Sequence, residues 1–155
     1  ADLAVGGLGA HLEQHRGAGL QHLAAAAQRF EGVFDTLELI AGDACSEAVS
    51  FAPVDLIFAG LIFEYVTPAS LLPRLKDGLN PNGILAVLLQ LPAEHMAEVT
   101  PSPFKRLQPL ASVMQLVPPT TLIRQARAEG FSLLHTERLA LPTGKCFEVL
   151  EFRAP

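Results

Sequence analysis

Two cysteines in 155 residues, Cys45 and Cys146, are too few and too far apart for a disulfide framework. Neither forms a CxxC pair or stands at metal-ligand spacing from a histidine, so no metal site is expected and a reducing, cytoplasmic setting fits best. Positive charge is scarce as well: 11 Lys and Arg against 16 Asp and Glu leave a formal charge of -5, with no cationic cluster. Nucleic-acid binding runs on phosphate neutralisation, so this balance speaks against a nucleic-acid partner and for a small molecule. Long apolar runs are missing too. Mean hydropathy is positive, yet Asp55 and Glu64 interrupt the longest apolar region, and Ile84 to Leu91 falls far short of the ~20 residues of a membrane span. No membrane partner is expected. The sequence has no GxSxG elbow of a serine hydrolase and no internal repeat, and no signal peptide is expected, the origin of the N-terminus staying open.

What is present is half hydrophobic and most simply one domain over residues 1–155. Leu3 to Val5 reads as a short strand running into the turn Gly6 to Gly9, and Leu20 to Phe30 as a helix between Gly19 and Gly32. "LELIAGD", Leu37 to Asp43, is a strand ending on an acidic turn. "PVDLIFAGLIFEYV", Pro53 to Val66, reads as a central strand buried on both faces, with Asp55 at its start and the small step Ala59-Gly60 near its exit. Thr67 or Ser70 can cap the helix that follows, which carries Pro68 in its first turn and Gly78 at its end. "NPNG" is a turn signal before the second doubly buried strand, "ILAVLLQL". Pro92 to Pro119 is a proline-rich excursion of the length that usually serves function, and a lid is its expected role. Thr120 or Thr121 caps one more helix that stops at Gly130, and the tail alternates about "PTGK" as an antiparallel hairpin. Alternating strands and helices imply parallel strands with right-handed crossovers. The expected fold is therefore a Rossmann-like, doubly wound, mostly parallel sheet with helices on both faces and a C-terminal antiparallel hairpin.

In order and spacing, "LELIAGDA", "VDLIFAGLIFEYV" and "LKDGLNPNGILAVLLQ", followed by "LIRQARAEGF" and the hairpin, resemble the class I S-adenosylmethionine-dependent methyltransferases. The resemblance implies S-adenosylmethionine as cofactor and a small-molecule methyl acceptor. It puts the methionine end of the cofactor on Gly6, Gly7 and Gly9, the adenine amino group on Asp43 with Ala44 beside it, and further cofactor contacts on Ala59, Gly60 and Leu61. Glu64 and Tyr65, past the fourth strand of the family pattern, become candidate catalytic groups that align or deprotonate the acceptor.

Each of these residues also has a plainer reading. Glycines at a strand end make a tight turn in any doubly wound fold, Asp after Gly is a good turn residue, and Glu64 can be a solvated acid opening a loop. The sequence also departs from the family: Ala4 stands where an acid usually precedes the turn, and no carboxylate follows ~20 residues later to hold the ribose. Either a strand-loop unit is missing about His15 to Gly19, which the otherwise intact pattern favours, or the ribose clamp is absent. His11, His15, His22 and His135 have surface or packing roles, and His95 lies in the excursion as a substrate contact. The expected activity is methyl transfer to a small molecule. The rivals are a catalytically inactive methyltransferase-like binding or interaction module and, more weakly, a nucleotide-dependent oxidoreductase, for which a full GxGxxG is lacking.

Overall fold

A computed structural model describes residues 2–7, 16–92 and 114–155. The chain divides into two compact units, Ala1–Ala52 and Pro53–Pro155, taken in turn.

The first unit is one parallel β-α-β crossover. Strand β1, Asp2–Gly7, leads through helix α1, Arg16–Phe30, to strand β2, Thr36–Ala41. β1 and β2 pair in parallel from Asp2 opposite Thr36 to Gly7 opposite Ala41. Strong helix formers in "LQHLAAAAQRF" hold α1 together, and Gly32 at φ 70° lets the chain turn back. Phe30 and Phe34, with ring centroids 5.8 Å apart, pack across that turn.

The second unit is a four-stranded mixed sheet. Strand β3, Val54–Gly60, is followed by a single 3-10 turn, Ile62–Glu64, then helix α2, Pro68–Asp77, and strand β4, Leu79–Gln90. Helix α3, Pro119–Ala128, precedes the hairpin of β5, Ser132–Ala140, and β6, Cys146–Arg153. Strand order is β3-β4-β6-β5. β3 and β4 are parallel, whereas β4–β6 and β6–β5 are antiparallel. One face of β4, Leu85, Val87 and Leu89, is fully buried together with Leu71 and Leu72 of α2, Leu122 and Ala126 of α3, and Leu150 and Phe152 of β6. The period of two in β4 fits a face packed under α2, while α3 packs on β5. Phe131 meets Phe152 edge-on with centroids 6.3 Å apart.

Several expectations change. The mostly parallel sheet is mixed, because the C-terminal hairpin contributes two of the four strands of the larger sheet. Among the described residues of this unit, α2 and α3 pack on each other, α2 on β4 and α3 on β5. β3 is not buried on both sides. It is an edge of the described sheet, with Leu56 60% and Phe58 64% exposed, since an apolar run reports hydrophobicity and not the number of neighbours. The "NPNG" signal sits inside β4 and makes a bulge there. Val54 pairs with Leu79 and Leu56 with Ile84, so Asn80 to Gly83 arch out. Asn82 adopts φ 65°, and a Cβ on Gly83 would come 2.8 Å from the Asn80 carbonyl oxygen. Asn80 Nδ2 donates to Asp55 Oδ1 at 2.8 Å, which fastens the arch to the start of β3. Helix α3 begins at Pro119 with Pro118 as its cap residue, placing Thr120 and Thr121 inside the helix rather than at its cap. Thr67 is the cap residue of α2, and its Oγ1 hydrogen-bonds Ser70 Oγ at 2.7 Å instead of a backbone N–H. The expected lid, Pro92 to Pro119, lies largely outside the described residues, as do His11, His15, His95 and Gly9.

Candidate functional site

In the second unit the carboxyl ends of β3 and β4 and the start of β6 form one edge. Leu61 N–H donates to Leu88 O at 3.0 Å, carrying the β3–β4 pairing one residue past Gly60. Leu61 then takes φ 58°, an unusual value for a residue with a side chain, and the chain drops into the 3-10 turn. That turn is closed by Tyr65 N–H donating to Ile62 O at 3.0 Å. The consequence is that Phe63 and Glu64 point inward. Glu64 is 3% exposed, so it is not a solvated loop acid. Its Oε1 accepts the Gln90 N–H at 3.0 Å, and its backbone oxygen accepts the Gln115 N–H at 2.8 Å from the segment leading into α3.

Gln90, 7% exposed, ends β4 opposite Phe147 of β6. Its Oε1 accepts from Lys145 Nζ at 3.4 Å, and Leu91 N–H donates to Cys146 O at 2.9 Å. A row thus runs from the 3-10 turn through the end of β4 to the tip of the hairpin. Burial raises the Glu64 carboxyl above the ordinary carboxylate range, opposed by the Gln90 N–H and by the positive charge of Lys145. Burial also raises the Tyr65 phenol, and the Glu64 charge adds to it. Both effects keep the Tyr65 phenol protonated at neutral pH.

In the first unit Gly6 and Gly7 belong to β1 itself, opposite Ile40 and Ala41, rather than to the expected turn. Asp43 follows β2 and folds back on its own turn: Oδ1 accepts the Cys45 N–H at 2.8 Å and the backbone oxygen accepts the Ser46 N–H at 2.9 Å. This is the turn geometry that Asp favours. It also pre-orients the carboxylate, half-buried, just beyond the strand that pairs with the glycine strand. Gly42 has no room for a Cβ, which would meet the Val49 side chain. Gly6, Gly7, Asp43 and Ala44 thus belong to the first unit, and Ala59, Gly60, Leu61, Glu64 and Tyr65 to one strand end in the second.

No family model matches the sequence, and no curated protein is significantly similar. Solved structures do match. N-methyltransferase NodS from Bradyrhizobium japonicum superposes with a TM-score of 0.63 at 13% identity, covering 99% of this chain and 74% of NodS. The glycopeptide N-methyltransferase MtfA, solved with S-adenosylmethionine, gives 0.62 at 16% identity, covering 98% of this chain and 72% of MtfA. The fold is that of the S-adenosylmethionine-dependent methyltransferases. The same fold also serves the cyclase SpnF, matched with a TM-score of 0.62 at 16% identity over 86% of this chain, which spans 62% of SpnF.

Within this methyltransferase fold, sequence reasoning missed Gln90 and Lys145. The available signals were a polar residue closing an apolar strand in "ILAVLLQ" and a lysine ending the "PTGK" turn. Neither announces a partner, because the contact joins residues 55 positions apart. Among the described residues no group of His, Cys, Asp or Glu is placed to hold a metal ion, and no helix is long and apolar enough to cross a membrane.

Proposed function

We propose that this chain is a class I methyltransferase that transfers a methyl group from S-adenosylmethionine to a small molecule. The observation that carries the reading is the superposition of 98–99% of the chain on NodS and on MtfA with S-adenosylmethionine, and of 85% of it on NodS with S-adenosyl-L-homocysteine. The residues fit the cofactor. Gly6 and Gly7 end β1, and glycine permits close approach of a ligand to backbone, so the methionine part is assigned to them and to Gly9, which lies outside the described residues. Asp43 offers a pre-oriented carboxylate beside Ala44. Its place after the strand that pairs with β1 supports a further role, acceptance of the ribose hydroxyls, because in dinucleotide-type folds the acid after the neighbouring strand does this. Asp43 would then supply the ribose clamp that the sequence otherwise lacks, instead of or besides the adenine contact. Ala59, Gly60 and Leu61, to which the family resemblance also assigns cofactor contacts, stand at the carboxyl end of β3 in the second unit.

S-adenosylmethionine supplies an electrophilic methyl on a sulfonium. The protein's task is to align the acceptor and keep water out. Tyr65, half-buried and protonated, can donate a hydrogen bond to the acceptor. Glu64 contributes by fixing the end of β4 through the Gln90 N–H. That burial and commitment of Glu64 also favour a second reading, a methyltransferase-like module that binds without turnover. Incubation with methyl-labelled S-adenosylmethionine and a panel of amines, hydroxyls and carboxylates separates the two. Label in any acceptor supports the enzyme, binding without transfer supports the module, and no binding of the cofactor overturns both.

A further inference from the structure

Lys145 closes the β5–β6 turn, yet its side chain is half-buried and reaches the end of β4. Its bond to Gln90 Oε1 is 3.4 Å, long for an ammonium, and the acceptor is neutral. Among the described residues Lys145 has no ion pair. Lys76 shows the contrast: its ammonium is held by Glu129 Oε2 at 3.2 Å and by the Glu129 backbone oxygen at 3.3 Å. Among the described residues this half-buried ammonium, with three donors, has one long hydrogen bond to a neutral oxygen, and only the Glu64 charge, beyond ion-pair distance, offsets its own. Gln90 holds it from behind and is itself fixed, since its N–H is bound by the buried Glu64 carboxylate. All of this sits at the edge where β3 and β4 end, the side of an open α/β sheet on which ligands bind.

We infer that Lys145 recognises an anionic group, of the carboxylate class, on the molecule this edge binds, with Glu64 and Gln90 as the positioning residues that aim it. Naming that molecule the methyl acceptor rests on the function proposed above; the anion site itself does not. An ammonium-carboxylate hydrogen bond is charge-assisted and so gives discrimination between an acid and its neutral amide.

The test uses benzoate and benzamide, matched in shape and different in charge. The chain has three lysines, Lys76, Lys105 and Lys145, so side-chain NMR of lysine-labelled protein resolves each. Titrations are run with and without S-adenosyl-L-homocysteine, whose own binding is followed by calorimetry. Benzoate is expected to shift the Lys145 signal to saturation while Lys76 and Lys105 stay put, with benzamide inert. Lys145→Met should weaken benzoate by at least about tenfold, the scale of one charge-assisted hydrogen bond, and Lys145→Arg should restore part of it. Glu64→Gln, which keeps an oxygen for the Gln90 N–H and removes a negative charge that acts on Lys145, should bind benzoate at least as tightly as wild type, whereas Glu64→Ala should bind more weakly than Glu64→Gln. No saturable shift at Lys145 in either condition, equal movement of all three lysines, or an equal response to benzamide would overturn the inference. Benzoate saturation without S-adenosyl-L-homocysteine binding would keep the anion site and remove the methyltransferase reading. The reverse would keep the methyltransferase and discard the site.

Discussion

Replacing Glu64 separates its two contributions, charge burial and a hydrogen bond. Glu64→Gln retains an oxygen for the Gln90 N–H and removes the charge, whereas Glu64→Ala removes both. With no acceptor for a buried N–H, Glu64→Ala should lose about 1–3 kcal/mol, plus a cost for the void. Glu64→Gln should be at least as stable as wild type at neutral pH, by a margin that depends on pH. The native carboxyl is raised above its ordinary value of 4.5, so the native state holds this proton more tightly than the unfolded chain. Stability from this group is therefore greatest at low pH and falls as pH rises through the window from the ordinary value to the raised one. Above that window wild type carries the full cost of a desolvated charge and Glu64→Gln does not. Urea melts of the three proteins between about pH 4 and pH 8 give the difference directly, at about 1.4 kcal/mol for each pH unit by which the native carboxyl is displaced. The reasoning is refuted if wild type gains on Glu64→Gln as pH rises, or if Glu64→Ala is no less stable than Glu64→Gln.

Other substitutions probe the frame around the site. Gly83→Ala puts a Cβ 2.8 Å from the Asn80 oxygen and 3.3 Å from the Asp55 oxygen, both backbone atoms that cannot easily yield; a loss of about 1–3 kcal/mol in urea melts is expected, and an unchanged midpoint would dismiss the tight arch. Gly42→Ala should likewise cost about 1–3 kcal/mol, because the new methyl meets Val49, and the double change Gly42→Ala with Val49→Ala should recover part of it. Asp55→Asn keeps an oxygen for Asn80 at an exposed position, so the melt should shift by less than about 1 kcal/mol and cofactor affinity should not change. A loss of affinity with an intact melt would mean that the ligand edge lies at the other end of β3.

Helix and strand placement was legible where local chemistry decides it. Ala-rich α1 before Gly32, Pro68 in the first turn of a helix, and the alternation about "PTGK" all mark elements that the fold contains. What depended on distant partners was not. Leu56 and Phe58 look like core residues in sequence, but burial depends on what lies beyond a strand, which no local pattern encodes. The "NPNG" signal was real, yet whether a turn precedes a strand or arches out of it is decided by the Val54–Leu79 pairing. At the site, Glu64 stood out as an acid past a strand end, but its burial follows from the left-handed Leu61, and its tie to Gln90 crosses 26 positions. Asp43 gave the reverse lesson. Its residue type was legible, while the pairing of β2 with β1, which bears on which part of a cofactor it would meet, was not.

The central claim, that this chain binds S-adenosylmethionine with Asp43 as a direct contact, is tested most directly by titration calorimetry of S-adenosylmethionine and S-adenosyl-L-homocysteine into wild type and Asp43→Ala. Two controls, Asp43→Asn and a circular-dichroism melt of each protein, separate contact from the turn that Asp43 also stabilises through the Cys45 N–H. The account predicts saturable one-to-one binding of both ligands to wild type, weakened by about 1–3 kcal/mol in Asp43→Ala at an unchanged fold. Absence of heat for both ligands with folded wild-type protein, or equal affinity of wild type and Asp43→Ala, would contradict it.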